Sequence, residues 1–185
     1  FELFRFPFQY VMKLPSHFSG ASDDKLVWQK FLTGDVEAFE YLMSSQFRAL
    51  FQYGSKFSKD KEFIKDSIQD LFLLLWEKRE NLRSDATVKP YLMASLRRLM
   101  HRNIAAKSWA GSESLEEKEG SFVLEFSVEQ EYIDQESTLV RTRQLEKLLK
   151  ELPRRQKEVV YLKYFQELNR EQISEIMAIS PQTVS

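Results

Sequence analysis

The sequence predicts an all-α fold, and three features carry that prediction. Apolar residues make up 43% of the 185 positions, which is enough for a packed core and argues against general disorder. Glycine and proline number only five each, so helix breakers are sparse. Apolar residues recur every three or four positions from Asp23 onward, and no alternating strand pattern interrupts them. Breaks in that periodicity divide the chain into an irregular segment (1–22), a larger helical domain (23–104), an acidic flexible linker (105–138) and a smaller helical domain (139–185).

Residues 1–22 hold Pro7 and Pro15 and keep no helical period. With Glu2 in place of a basic start and Pro7 splitting the apolar run, they do not read as a signal peptide. Met12 is a candidate start, which would leave residues 1–11 outside the native chain. From there Asp23 or Asp24 caps a short helix carrying Leu26, Val27 and Phe31, and Thr33-Gly34 stops it. Asp35 caps a second helix with the stripe Val36, Phe39, Met43, Phe47 and Leu50. After a turn at Ser58-Lys59-Asp60, a third helix over Lys61–Leu82 buries Ile64, Ile68, Leu71, Phe72 and Leu75. Its opposite face is unusual. Glu62, Asp66, Gln69, Asp70 and Glu77 surround Leu73, with Leu74 beside them. A helix with a broad apolar face and a second face of acids around leucine has room for two partners, its own domain and another protein.

A fourth helix over Lys89–Lys107 follows the turn region Asn81–Thr87, with Pro90 in its first turn. Leu92, Leu96, Leu99, Met100 and Ile104 share its inner face; Arg97, Arg98, His101 and Arg102 fall on the outer arc. In the smaller domain Leu145, Leu148, Leu149 and Leu152 form one stripe. Pro153 restarts a helix whose Val159, Val160 and Tyr164 are expected to face inward. Asn169 and Gln172 then suit a capping box ahead of Ile173, Ile176 and Met177. Ala178-Ile179 turns the chain, and Ser180-Pro181 opens a last helix.

Composition removes several functions. Without cysteine there is no disulfide frame, thiolate metal site or cysteine nucleophile, in keeping with a reducing cytoplasm. His17 and His101 lie too far apart to suggest zinc. No apolar run reaches the ~20 residues of a spanning helix. A glycine-rich phosphate loop, a paired-histidine motif and a serine-nucleophile context are all missing, so neither an enzyme nor a cofactor is expected.

Charge is segmented. The whole chain carries −1, yet residues 86–112 carry +5 with no acid, and residues 113–138 carry −8. Local charge governs binding, because salt screens beyond about 8 Å. An amphipathic helix with a cationic outer face suits a phosphate backbone, and Tyr91 offers a surface on which an unpaired base can stack. The C-terminal helix, short turn and Ser-capped helix form a helix-turn-helix pattern, whose second helix enters the DNA major groove. Gln182, Thr183 and Ser185 would reach bases or phosphates there.

These pieces together resemble the bacterial RNA polymerase sigma factors of the sigma-70 family, in the extracytoplasmic-function (ECF) group. Residues 66–76, DSIQDLFLLLW, are similar to the family's region 2.2 helix; residues 90–98, PYLMASLRR, look like the start of its promoter-reading helix; residues 152–185 resemble region 4. The resemblance implies a cytoplasmic specificity subunit. Asp66, Gln69, Asp70, Leu73 and Glu77 would dock on the β′ clamp helices of core RNA polymerase. Tyr91, Arg97, Arg98, His101 and Arg102 would engage the −10 promoter element. Arg170, Ser180, Pro181, Gln182, Thr183 and Ser185 would serve the −35 element. The linker would thread the polymerase channel, and a membrane-associated anti-sigma factor would sequester the protein. Arg97-Arg98 replaces the family's frequent Arg-Asn, and Tyr91 its frequent Trp, so the −10 base preference is not transferable. The sequence stops about one turn into the recognition helix, from which a frayed end and weak −35 binding are expected. The alternative is a helix-turn-helix regulator that binds promoter DNA without docking on polymerase; its N-terminal half would more often be a sensor with strands or a ligand pocket.

Overall fold

The computed structural model describes residues 23–109, 122–124, 144–145 and 147–184. The expectations placed on residues 1–22, on most of the linker and on Ser185 lie outside the described residues. All regular structure among the described residues is helical, as the periodicity requires.

Helix α1 (Asp23–Leu32) begins at the predicted acid pair. Gly34, at φ +88°, turns the chain in a conformation that other residues rarely adopt. The Asp35 carboxylate accepts the Ala38 N–H at 3.0 Å and starts α2 (Val36–Gly54). Phe39, Leu42, Leu50 and Tyr53 are buried. Val36, placed in the stripe by periodicity, is 54% exposed; it stands in the first turn, outside the reach of the neighbouring helices.

Asp60 accepts the N–H groups of Glu62 and Phe63 and caps α3 (Lys61–Glu77). The expected end at Leu82 is corrected: α3 stops at Glu77, and Arg79–Asn81 form a 3-10 turn. The physical reason is local. Arg79 folds back with its guanidinium 4.7 Å from the Trp76 ring centre and donates to the Trp76 carbonyl at 2.9 Å. It thereby adds a side-chain donor to a carbonyl of the last helical turn, to which the Lys78 N–H is also directed. The Trp28 indole N–H donates to the Arg83 carbonyl at 2.9 Å, tying the following loop to α1.

Helix α4 (Val88–Trp109) lies at the centre and touches α1, α2 and α3. Leu92, Met93, Leu96 and Met100 are fully buried, and Leu99 nearly so. It is therefore buried on more than the single stripe a surface helix would show. An aromatic cluster fills the space beside it: Phe31, Phe39 and Trp76 lie with ring centres 4.9–6.2 Å apart.

In the C-terminal part, residues 144–145 and 147–151 are helical. Helices α5 (Arg154–Tyr164) and α6 (Arg170–Met177) follow, then a 3-10 turn over Pro181–Val184. Ile173, Ile176 and Met177 are buried as expected. The expected inner face of α5 is corrected. Tyr164 is 68% exposed, Val159 and Val160 are half-buried, and the buried residues are Glu158, Tyr161 and Leu162. The cause is a neighbour that periodicity cannot see: these helices pack directly on the N-terminal bundle, with α6 against α4. The Tyr53 ring from α2 stacks on Tyr161 at 6.1 Å, and Phe122 sits between Phe57 and Tyr161 at 5.3 and 5.7 Å. One apolar core runs across both halves.

Candidate nucleic-acid interface

Three surfaces were singled out by the sequence, on α3, on α4 and at the C-terminal turn. On α3 the polar side stays open: Asp66, Gln69, Asp70 and Glu77 are exposed, Leu73 is half-buried and Leu74 is 36% exposed. Leu71, Phe72 and Leu75 hold the opposite side in the core. The acids and leucines thus form one solvent-facing strip on a rigid helix.

On α4 the four outer-arc residues separate into two pairs. Arg98 and Arg102 are exposed. They border a groove of about 360 Å³ between α3 and α4, lined also by Leu74, Leu75, Leu82, Leu99, Lys78 and Tyr91. Leu75 and Leu99 are buried, while Lys78 and both arginines are exposed, so the groove has an apolar floor and cationic edges. Tyr91 is half-buried, its ring 5.8 Å from that of Trp28, which fixes its position. Such a groove can hold an unstacked base on its floor and phosphates at its edge.

Arg97 and His101 do not share that surface; α5 covers them. The Arg97 guanidinium donates to both oxygens of Glu158, at 2.8 and 3.2 Å, with side-chain exposures of 16% and 3%. The Tyr53 hydroxyl donates to the same carboxylate at 2.5 Å. Burial works against the Arg97 charge, but hydrogen bonding and attraction from Glu158 outweigh it and hold the guanidinium above its ordinary value. Burial, then the negative charge of Glu158, push the Tyr53 phenol well above its ordinary value, so it remains a neutral donor. His101 packs edge-on against Phe57 at 5.3 Å, and its buried Nε2 has no hydrogen-bond partner among the described residues. Burial, then the Arg97 charge, lower its pKa. Lys89, also on α4, donates to the Gln166 carbonyl at 3.0 Å, a second polar tie across the same junction.

Sequence reasoning missed Glu158, Tyr53 and Phe122. A signal existed for Glu158: it falls on one helical face with Tyr161, Leu162 and Phe165. An acid on an apolar stripe requires a cation from elsewhere in the fold.

At the C-terminus the capping box is present. Asn169 accepts the Gln172 N–H at 2.9 Å, and Gln172 accepts the Asn169 N–H at 3.0 Å. Ala178 closes α6 in the left-handed region at φ 51°, ψ 49°. The Ser180 and Thr183 hydroxyls meet at 2.9 Å. Arg170, Ser180, Gln182 and Thr183 are exposed and Pro181 is half-buried; Ser185 lies outside the described residues. Among the described residues, no group of three or more His, Cys, Asp or Glu is placed to hold a metal ion, and no helix is long and apolar enough to cross a membrane.

Residues 142–185 match the protein family described as Sigma-70, region 4. The chain is similar in structure to CnrH in its complex with the cytosolic domain of CnrY, at 16% identity and a TM-score of 0.58, over 87% of this chain and 86% of that one. Comparison with curated proteins finds no match. The first finding likens the C-terminal helices to sigma-70 region 4, and the second shows the fold of the chain as a whole. The first finding supports, for the C-terminal part, the resemblance to the sigma-70 family.

Proposed function

We propose that this protein is a dissociable specificity subunit of bacterial RNA polymerase, acting in the cytoplasm to direct initiation at particular promoters. The observation that carries this reading is the region 4 match over residues 142–185, on a helix-turn-helix whose Arg170, Ser180, Gln182 and Thr183 are open to solvent. In this reading the C-terminal unit meets the −35 element. Tyr91, Arg98 and Arg102 meet the −10 element at the α3–α4 groove, joined by Arg97 and His101 when α5 moves away. The α3 strip of Asp66, Gln69, Asp70, Leu73 and Glu77 docks on the β′ clamp helices. CnrH is bound to the cytosolic domain of CnrY; by analogy, an anti-sigma protein is the partner proposed to sequester this chain. The protein performs no chemistry. Its two modest DNA sites gain strength from being held on one polymerase scaffold, through effective concentration.

The test is transcription from defined promoters by core polymerase with and without the full-length protein. Promoter-specific starts are expected, and failure both to bind core and to alter start sites would refute the reading. Leu73→Asp is expected to weaken polymerase binding about tenfold or more, as loss of an interface anchor does, with helicity by circular dichroism unchanged. Charge reversal of Arg98 with Arg102 is expected to impair promoter opening, read by permanganate reactivity, while polymerase binding is retained. DNA binding at full strength without polymerase would instead favour an independent helix-turn-helix regulator.

A further inference from the structure

We propose that the groove between α3 and α4 is a binding site for a single-chain anionic amphiphile, a free alkyl carboxylate, which lays its chain on the leucine floor and sets its head among Lys78, Arg98 and Arg102. The site is argued from its lining alone. Its consequence, competition between such a ligand and single-stranded promoter DNA, rests on the proposed function.

The lining divides into two chemistries. Leu71, Leu74, Leu75, Leu82 and Leu99 supply five of the ten lining residues, and no acid is among the ten. The floor reaches solvent at Leu74 and at half-buried Leu82. An alkyl chain laid there takes apolar surface of both partners out of water. The volume of about 360 Å³ falls within the range of roughly 300–1,000 Å³ typical of small-molecule sites.

The rim is cationic and uncommitted. Arg98 and Arg102 stand one helical turn apart on α4, and Lys78 lines the groove from the end of α3. Arg79, Arg83, Arg97 and Arg170 each pair with an acid, whereas Lys78, Arg98 and Arg102 pair with none among the described residues. The Arg98 guanidinium donates to the Ser95 hydroxyl at 3.1 Å, which holds it on the groove side of α4 and leaves its other donors for a ligand. A carboxylate placed between the two arginines accepts charge-assisted hydrogen bonds from both.

The same lining tells against other small ligands. A nucleobase can lie face-down on leucine, but its edge carries donors and acceptors. Tyr91 and Ser95 are the uncharged polar residues of the lining, and Ser95 is already engaged by Arg98. Polar edges buried without partners are costly, and an alkyl chain has none. An uncharged lipid leaves the three cations unused, and an inorganic anion leaves the leucines uncovered. Single-stranded DNA draws mainly on the rim, so it and the amphiphile would share Arg98 and Arg102.

The probe is dodecanoate, titrated into the full chain below its micelle concentration and followed by calorimetry. One saturable site is expected, with decanoate about tenfold weaker for its two missing methylenes. Dodecyltrimethylammonium, which has the same tail and the opposite charge, is expected to bind at least about tenfold more weakly. Arg98→Gln combined with Arg102→Gln should lose about tenfold. Leu74→Gln, which leaves every cation in place, should lose several-fold, with the helical signal by circular dichroism retained in both variants. Absence of saturable binding, equal affinity for the cationic amphiphile, or binding that both variants leave unchanged overturns the site. Self-association that dodecanoate does not disturb would give the groove to a second copy of the chain, and adsorption only to phosphatidylglycerol vesicles would give it to a lipid surface; either result overturns the proposal. Displacement of a fluorescent single-stranded oligonucleotide is the second arm. At about ten times its dissociation constant, dodecanoate is expected to weaken oligonucleotide binding about tenfold by competition. Saturable dodecanoate binding without displacement overturns the competition, and with it the assignment of Arg98 and Arg102 to the −10 strand, while leaving the ligand site standing.

Discussion

Tyr53 shows how much one hydroxyl can carry. It is a fully buried α2 residue whose phenol donates to the Glu158 carboxylate at 2.5 Å, while its ring stacks on Tyr161. Tyr53→Phe keeps the ring and deletes only the donor. Glu158 retains Arg97, so no charge is stranded, and the loss is that of one hydrogen bond to a charged acceptor. The expected cost is about 1.5–3 kcal/mol, read as a lower urea midpoint with an unchanged slope. A cost near zero would mean that water serves Glu158 equally well. Nothing in the sequence around Tyr53 announces this role. Tyrosine at a helical core position reads as apolar filling, and its acceptor lies 105 residues away in the chain.

At the level of elements, α2 and α3 approach closely where Gly54 meets Ile64. A Cβ added at Gly54 would lie 2.8 Å from the Ile64 Cγ2 and 3.4 Å from the Met100 sulfur. Glycine in a helix is ordinarily a weakness, and Gly→Ala ordinarily stabilises by roughly 0.5–1 kcal/mol. Here the sign should reverse. Ile64 is 1% exposed and β-branched, so its side chain cannot swing away. Gly54→Ala is expected to destabilise by about 1–3 kcal/mol through overpacking, measured as a fall in the thermal midpoint; a rise would show that α2 and α3 have slack. The same contrast explains what could be read from sequence. The caps at Asp35 and Asn169 and the inner stripes of α3 and α6 were legible, because a cap needs only neighbours three residues away and a stripe needs only the helical period. The inner face of α5 was not legible. Val159, Val160 and Tyr164 fit a helical face as well as Glu158, Tyr161 and Leu162 do, and only the position of α2 and α4 decides between them. The end of α3 at Glu77 likewise depends on Arg79 folding over Trp76, a choice of side-chain direction that no periodicity encodes.

For the whole molecule, the junction between the two halves is where pH should act. His101 lies at that junction. On its own helix it faces Arg97; from α5 it feels Glu158 and Arg155, and Phe57 packs on its ring. Burial, then Arg97 and Arg155, disfavour its charged form, and Glu158 only partly opposes them. With the two halves packed together, here called closed, its pKa therefore lies below the ordinary histidine value of 6.5. The sign follows from linkage. A state that binds a proton more weakly loses ground as protons become available. Above 6.5 the imidazole is neutral whether the halves are closed or open, and closure carries no penalty from it. As the pH falls below 6.5 the open state gains the proton first, and closure weakens until the closed-state value is also passed. Interdomain distance measured between about pH 8 and about pH 5 should lengthen on acidification, with half the change below 6.5. His101→Gln, uncharged throughout, should flatten the response while leaving the distance at about pH 8 short. A response that survives this substitution would show that His101 is not its source. Protonation of a half-buried imidazole whose Nε2 has no hydrogen-bond partner among the described residues is governed mainly by desolvation, and the response should depend little on ionic strength.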